Sequence, residues 1–373
     1  MALVSGICAQ RTVAMVALVG ALLHTTHAWS QAPLESRTVL SAERPTGEVA
    51  RATWRPIIHS TSIDTDEIFP SEILAMATRA ARPTSPTYLG DPNGVFGIVV
   101  TSPTPNARVQ VTITVDRLSE VSTFDTTLPD ANRAYEIWPT IRFDMRALAA
   151  IREAFPATAH FTVSVDGVQV GQQSQTVRVR SVNDVPFVYV TKNGQHIDLS
   201  YMFAAFVNEN SPIIDKILRD ALAVNAVQSF KGYQGTPQEV TREVFAVWNV
   251  LQRRRVKYSS ITQPSGQSRN VYSQHVRFLD EVVDNQQANC VDGSVLFASV
   301  LYKLGIYPAL VLVPGHMFVG FFADKQRRQP VFLETTLIGN PGLTGLQETW
   351  KFMTDDGYLA SRSYELFPRA VAV

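Results

Sequence analysis

The stretch Gln287-Ala288-Asn289-Cys290-Val291-Asp292-Gly293-Ser294 holds one of the two cysteines of the chain, the other being Cys8. Asn289 is a good N-cap residue, which predicts a helix that starts at Cys290 and ends before Gly305. The N-terminal end of a helix stabilises a thiolate, so a cysteine in the first turn is favoured to react as a nucleophile. Cys290 is therefore the candidate nucleophile.

The beginning of the chain has the pattern of a secretory signal. Arg11 precedes the apolar run Val13–Leu23, which is shorter than the ~20 residues that span a bilayer. Thr26-His27-Ala28 then offers small residues before a cleavage site. We predict a signal peptide over residues 1–28 and a periplasmic or secreted protein without stable membrane insertion.

Two further properties of the sequence limit what the exported protein does. Cleavage after Ala28 removes Cys8 and leaves Cys290 unpaired, and an unpaired cysteine in an exported protein suggests an intermolecular bond or a reactive thiol. The formal net charge of the whole chain is zero. Because binding to nucleic-acid phosphates needs a basic surface, we expect no nucleic-acid partner.

The first half of the mature chain has the patterns of coil and then of strands. Residues 29–92 are rich in Pro, Ser, Thr and Arg, which predicts an extended lead-in with one short helix near residues 71–81. Residues 93–190 contain short runs that alternate apolar and polar residues, and Asp166-Gly167 is a strong hairpin signal between two of them. These patterns predict a β-sandwich-like domain.

From about residue 195 the sequence becomes helical. Ser211-Pro212 and Thr236-Pro237 each place an N-cap residue before a proline that suits the first helical position. Apolar residues then recur at helical spacing, which predicts core helices. We therefore predict an α+β protein, with a second α+β domain over residues 195–373.

A histidine and a carboxylate follow Cys290 on a predicted hairpin. His316 opens one apolar run and Glu334 ends the next, with a polar turn at Ala323–Arg327 between them. A hairpin centred near Lys325 places His316 opposite Glu334 on one face, where the carboxylate accepts a hydrogen bond from Nδ1. Asp324 is a competing acid, but it lies in the turn.

Other residues compete for roles near Cys290. Asp292 is the second competing acid, although its position suits an acid that stabilises the start of a helix. His275 is the rival base, because it lies shortly before Cys290 in the sequence. Gly293, one turn into the helix, is expected to leave room for a substrate backbone.

Four motifs in this half of the chain resemble the transglutaminase-like branch of the papain-like cysteine enzymes. The similarity covers about residues 195–350, is specific over 286–336, and does not extend to 29–190. The motifs are Asn289-Cys290-Val291-Asp292-Gly293-Ser294, Gly305-Ile306-Tyr307-Pro308-Ala309, Pro314-Gly315-His316-Met317-Phe318-Val319-Gly320 and Leu333-Glu334-Thr335-Thr336.

That resemblance implies roles for four residues. Cys290 is the expected nucleophile, His316 the base and Glu334 the orienting acid, although the acid in this superfamily is commonly Asp. Gln274 resembles the polar residue that helps to form an oxyanion hole. A surface position for Gln274 is the alternative.

A Cys-His-acid set performs acyl transfer through a thioester. We expect hydrolysis of an amide or peptide bond, which makes the protein a cysteine peptidase or amidase acting on protein, peptide or cell-wall peptide substrates. Two alternatives stay open: transfer of the acyl group to an amine, as in a cross-linking transglutaminase, or a non-catalytic exported binding or scaffold protein. The spacing of histidines and cysteines does not resemble a zinc site, and we expect neither a metal nor a cofactor.

Overall fold

A computed structural model describes residues 51–339, apart from positions 64, 78, 84, 224, 226, 260–267, 269 and 314, and also residues 370–372. In this part the chain is mixed α+β, as the sequence predicts. The predicted signal peptide, residues 29–50 of the lead-in and residues 340–369 of the predicted second domain lie outside the described residues.

Strands dominate the described chain up to residue 179. Two short helices lie among them, α1 (Pro70–Met76) and α2 (Met145–Ala150). In chain order the strands are β1 (Thr53–Ile58), β2 (Glu67–Ile68), β3 (Tyr88–Gly90), β4 (Phe96–Thr101), β5 (Ala107–Val115), β6 (Ser122–Leu128), β7 (Ala134–Trp138), β8 (Phe155–Val165) and β9 (Val168–Val179).

These strands form two sheets that share one hydrophobic core. One sheet has the order β1-β4-β7-β3 and the other has the order β2-β9-β8-β5-β6. Along β5 every second residue is buried and the residues between are exposed or half-buried, as expected of a strand with one face on a core. The rings of Phe96 in the first sheet and Phe161 in the second lie 6.5 Å apart in that core.

The predicted hairpin at Asp166-Gly167 is confirmed. Val165 of β8 pairs with Val168 of β9, so these two residues form the whole turn. Both have positive φ, 51° for Asp166 and 81° for Gly167. That combination belongs to the type I′ turn, whose twist matches the twist of the flanking strands.

Residues 51–92 differ from the predicted lead-in, since they supply strands to the first sheet. β1 pairs with β4 from Thr53 to Ile58, and β3 pairs with β7. Pro56 lowers the strand signal in the sequence, but β1 lies at the edge of its sheet, where a proline is tolerated. The predicted helix at 71–81 is shorter and earlier, at Pro70–Met76.

The second part of the chain alternates helices and short strands. Its helices are α3 (Pro212–Ala223), α4 (Pro237–Arg253), α5 (Leu279–Asp284) and α6 (Cys290–Lys303), with 3-10 turns at Ser200–Phe206, Gly232–Gln234 and Thr335–Leu337. Its strands are β10 (Asp184–Val190), β11 (His196–Asp198), β12 (Lys257–Tyr258), β13 (Val271–His275), β14 (Gln287–Ala288), β15 (Pro308–Val313), β16 (His316–Phe322), β17 (Pro330–Leu333) and β18 (Ala370–Ala372).

Helix α6 is the centre of this part. It packs against β15 and β16, and most of its residues are buried, so it is apolar on nearly every side. The sheet over it has the order β17-β16-β15-β18. Among the described residues, no helix combines the length and the apolar character that crossing a bilayer requires.

Two of the predicted helix starts appear at the predicted residues. α3 begins at Pro212. Before α4, the Thr236 hydroxyl accepts a hydrogen bond from the N–H of Glu239, whose carboxylate accepts one from the N–H of Thr236. This reciprocal pair is a capping box, and it begins at the N-cap residue that the sequence predicts.

Strand β10 belongs to the second part of the chain. The sequence places residues 184–190 at the end of the sandwich-like region, but β10 lies between β11 and β13 in a three-stranded sheet. Val185 of β10 pairs with Gln274 of β13, and Asp184 pairs with His275. β10 therefore follows the β-rich part in the chain and pairs with β13, the strand that precedes α5 and α6.

Candidate active site

Cys290 occupies the first position of α6, and its thiol is half-buried. Asn289 caps the helix, because its Oδ1 accepts a hydrogen bond of 2.8 Å from the N–H of Asp292. Asp292 returns the bond, with its Oδ2 accepting from the N–H of Asn289 at 3.0 Å. The two residues on either side of the thiol thus fix the backbone that carries it.

Asp292 has a structural role, as its position in the sequence suggests. It is fully buried, and its two oxygens also accept bonds from Arg277, at 2.9 Å from the N–H and 2.7 Å from Nη1. A buried carboxylate with this many donors is fully engaged. Asp292 is therefore the anchor of the helix start and not the partner of a catalytic histidine.

His316 begins β16, directly after the two-residue connection from β15 that includes Gly315. Gly315 has a φ of 75°, which a residue with a side chain rarely adopts. The ring of His316 lies between two partners. Its Nε2 is 2.6 Å from Oε2 of Glu334, and a hydrogen bond with the side chain of Cys290 is the largest of the causes that raise the pKa of His316.

The ring nitrogens differ from the predicted assignment. The sequence predicts a hydrogen bond from Nδ1 of His316 to the carboxylate, but in the structure Nε2 faces Glu334. Nδ1 is then the nitrogen left for the thiol of Cys290. The contact between His316 and Glu334 is the predicted one, made through the other ring nitrogen.

The register of the hairpin also differs from the prediction. Val319 pairs with Leu333 and Phe322 pairs with Pro330, so the hairpin is centred near Gln326 and not near Lys325. β17 ends at Leu333, and Glu334 follows it as the N-cap of a 3-10 turn. The register changes by two residues, and because strand side chains alternate with a period of two, the face towards His316 is preserved.

Thr336 holds the carboxylate of Glu334. Its N–H and its hydroxyl donate to Oε1 at 3.0 Å and 2.7 Å. Both bonds use the oxygen that does not face His316. The carboxylate therefore has one oxygen bound to its own turn and the other bound to the imidazole.

The 3-10 turn is attached to α6 through Thr335. The Thr335 hydroxyl lies 3.3 Å from that of Ser294, which donates to the carbonyl of Cys290 at 2.7 Å. Gly293 faces the same residue, since a Cβ at Gly293 would lie 3.0 Å from Cβ of Thr335. The space at Gly293 is thus filled by Thr335, which corrects the expectation that it admits a substrate backbone.

The pKa shifts follow from these contacts. The hydrogen bonds with Cys290 and then with Glu334 raise the pKa of His316 to about 10, although burial acts in the opposite direction. Burial raises the pKa of Glu334, but the hydrogen bond and charge of His316, with the bonds from Thr336, outweigh it and the pKa is lowered. At neutral pH the site therefore holds an imidazolium and a carboxylate.

Gln274 lies beside the start of α6. Its amide donates to the carbonyl of His275 at 3.0 Å, and the amide of Asn289 reaches the same oxygen at 3.5 Å. The side chain of Gln274 is half-buried, so it is not a fully exposed surface residue. Within the described residues, one of its two N–H hydrogens has an acceptor and no bond from the other is found.

His275 is engaged elsewhere. Its Nδ1 is 3.1 Å from Oδ1 of Asp184, and Oδ2 of the same carboxylate is 3.3 Å from Nε of Arg180. Arg180 also donates to Glu67 at 3.3 Å. This buried network joins the two parts of the chain and explains His275 without a catalytic role. Asp324 lies in the turn, where its Oδ1 accepts from the N–H of Arg328 at 2.9 Å.

The sequence reasoning missed Thr335, Thr336 and Arg277. Thr336 carries a local signal, because a threonine two residues after a carboxylate at a strand end can donate to it with both its N–H and its hydroxyl. Arg277 contacts Asp292 and Thr335 contacts Ser294, and each pair is far apart in the sequence. No local pattern marks such contacts.

Comparison of the chain with protein-family models, with curated proteins and with solved structures found no match.

Proposed function

We propose that the chain is an exported, cysteine-dependent acyl-transfer enzyme of the transglutaminase-like type that hydrolyses an amide or peptide bond. The observation that carries the proposal is the 2.6 Å hydrogen bond between His316 and Glu334, on a hairpin whose strand β16 packs against the helix that begins with Cys290. On this proposal the β-rich part is a sandwich-like domain and the second part is the catalytic domain.

The reaction begins with attack of the Cys290 thiolate on the carbonyl carbon of the substrate. The carbonyl oxygen gains negative charge, and the N–H of Cys290 and the second N–H of Gln274 are the donors proposed to stabilise it. Backbone N–H groups in the first turn of a helix have no partner within the helix, which suits the first of these roles.

His316 then moves the proton. Nδ1–H protonates the leaving amine as the C–N bond breaks, which leaves a neutral imidazole and a thioester on Cys290. A water molecule attacks the thioester and gives its proton to Nδ1, and the carboxylic acid leaves as the thiolate forms again. Glu334 keeps the ring oriented throughout and stabilises the imidazolium.

Protein, peptide and cell-wall peptide amides are the proposed substrates, in the periplasm or outside the cell. The export proposal rests on the apolar run Val13–Leu23 and the small residues that follow it. Transfer to an amine is the second candidate, since a thioester can react with either acceptor. A non-catalytic scaffold is the third.

The test is a substrate screen read by mass spectrometry. The mature protein, Cys290→Ala and Asp324→Asn are each incubated with peptides and cell-wall fragments, with and without a primary amine. We expect cleaved products from the wild type and Asp324→Asn and none from Cys290→Ala. Amine adducts in place of cleavage would favour a transglutaminase, and no Cys290-dependent product would favour the scaffold.

A further inference from the structure

A cavity of about 570 Å³ lies between the β-rich part of the chain and the sheet that contains β10 and β11. None of Cys290, His316, Glu334 and Gln274 lines it. Helix α1 and the residues after it form one wall, and the loop after β3 forms another. Cavities of this size bind small organic molecules or single side chains, and they occur preferentially where two parts of a protein meet.

A mostly buried carboxylate lines this cavity. The side chain of Glu72 is 15% exposed, and its Oε2 accepts a hydrogen bond of 2.6 Å from the hydroxyl of Tyr189. Nδ1 of His59 lies 3.8 Å from the same oxygen. Within the described residues no donor reaches Oε1. That oxygen can therefore accept a hydrogen bond from a charged donor of a ligand.

Aromatic rings and a second acid give the walls a negative character. Tyr88, Tyr189 and Tyr201 line the cavity, as does Asp91. Burial, and then the carboxylates of Asp91 and Glu136, raise the pKa of Tyr88 to about 12. Burial opposes any charge, but the part of this shift that comes from Asp91 and Glu136 is a negative field that favours a cation, and the faces of tyrosine rings attract cations as well.

The chain itself places a cation against one of these rings. The guanidinium carbon of Arg79 lies 4.8 Å from the centre of the Tyr201 ring, and Nη1 donates to the Tyr201 hydroxyl at 2.6 Å. Arg79 is exposed, so its side chain covers the ring from the solvent side. The contact shows that this wall accommodates a guanidinium.

The rim of the cavity is apolar. Met145 and Ile197 both line it, and they are 42% and 38% exposed, which is high for large apolar side chains. Exposed apolar residues around a concave site suit the aliphatic part of a ligand.

We propose that this cavity binds an organic cation, an ammonium or guanidinium group on an aliphatic chain. Glu72 supplies the opposite charge, the tyrosine rings hold the cationic head, and Met145 and Ile197 contact the chain. The side chain of a lysine or arginine in a peptide and a free aliphatic amine share this chemistry. The site does not depend on the proposed reaction at Cys290.

Isothermal titration of the mature protein with hexylamine, hexan-1-ol and hexanoate tests the charge requirement. We expect binding of hexylamine alone, and about a tenfold or greater loss of affinity in Glu72→Gln, because a charge-assisted hydrogen bond is removed. A lysine-containing tripeptide that binds more tightly than hexylamine would identify a peptide as the source of the cation, and weaker binding would identify a free amine. Equal binding of hexan-1-ol and hexylamine, or no binding of hexylamine, would overturn the proposal.

A second pair of variants keeps the test valid should Glu72→Gln fail to fold. Arg79→Ala uncovers the ring of Tyr201 and removes a competing charge, so hexylamine should bind more tightly. Unchanged or weaker binding in Arg79→Ala would contradict the proposal. Cys290→Ala should bind hexylamine as the wild type does, which separates this site from the proposed function.

Discussion

Oε2 of Glu334 lies 2.6 Å from Nε2 of His316, although Glu334 follows the end of strand β17. The pairing of β16 and β17 ends one residue earlier, at Val319 and Leu333. The contact therefore depends on the 3-10 turn that begins after Glu334 and not on the strand ladder alone. A turn with its own hydrogen bonds can hold a carboxylate as firmly as a strand does.

Replacement of Glu334 by Gln should lower acyl-transfer activity by about 10²-fold or more, the range expected when a catalytic histidine loses its orientation and its charge partner. Asp324→Asn is the matched control, because Asp324 only closes the turn. Initial rates and circular dichroism of both variants provide the measurement. A larger loss of activity in Asp324→Asn than in Glu334→Gln would show that Asp324, and not Glu334, is the acid that acts with His316.

Thr336→Val should weaken the site without removing a catalytic group. It deletes the 2.7 Å hydroxyl bond to Oε1 of Glu334, and hydrogen bonds to charged groups are worth about 1.5–3 kcal/mol. We expect a fall in turnover of about tenfold and a higher pKa of Glu334 by NMR, with both restored in Thr336→Ser. A merely structural threonine would leave the pKa of Glu334 unchanged in Thr336→Val.

The stability of the protein should depend on pH through this pair. The pKa of His316 is raised from 6.5 to about 10, so its contribution is complete below 6.5 and is lost as the pH rises towards 10. The pKa of Glu334 is lowered from 4.5, so its contribution is present above 4.5 and is lost in more acidic solution.

The difference in unfolding free energy between the wild type and Glu334→Gln should therefore be largest between pH 4.5 and 6.5 and should shrink towards pH 10. Urea unfolding at several pH values measures it. A difference that grows with pH above 6.5 would have the wrong sign for this pair.

Cys290 should react rapidly with iodoacetamide in the native protein near neutral pH, because it lies at a helix start beside His316. His316→Gln should slow the labelling, while His275→Gln should not, since His275 is bound to Asp184. Mass spectrometry of the mature protein gives the rates. Labelling of the wild type only after unfolding would favour the scaffold alternative.

The exported form should begin close to Trp29. The apolar run at Val13–Leu23 and the small residues up to Ala28 predict cleavage there. N-terminal sequencing of the protein from the periplasm or the medium checks this. Recovery of a chain that starts at Met1 from the membrane fraction would rule out the signal peptide.

Features set by neighbouring residues could be predicted from the sequence. The N-cap Asn289, the capping box at Thr236 and the turn at Asp166-Gly167 each depend on a few adjacent residues, and all three are present. Their energies are local, so the sequence contains what is needed to predict them.

Features that depend on residues far away in the sequence could not be predicted from it. β1 is a strand because β4 supplies its hydrogen bonds, and the face of Gly293 is filled because Thr335 arrives from the far side of the hairpin. The predicted register of β16 with β17 is wrong by two residues, because the polar turn between the strands has no strict turn motif. Only the period of two kept Glu334 on the predicted face.

The buried network Glu67, Arg180, Asp184, His275 has a consequence for anyone who shortens this protein. A gene fragment that starts at residue 195 would omit β10, and with it the strand whose Val185 pairs with Gln274. Cys290 would be present in such a fragment, while β13 would lose its only described neighbour in that sheet. A fragment that keeps this network therefore includes Glu67 as well as β10.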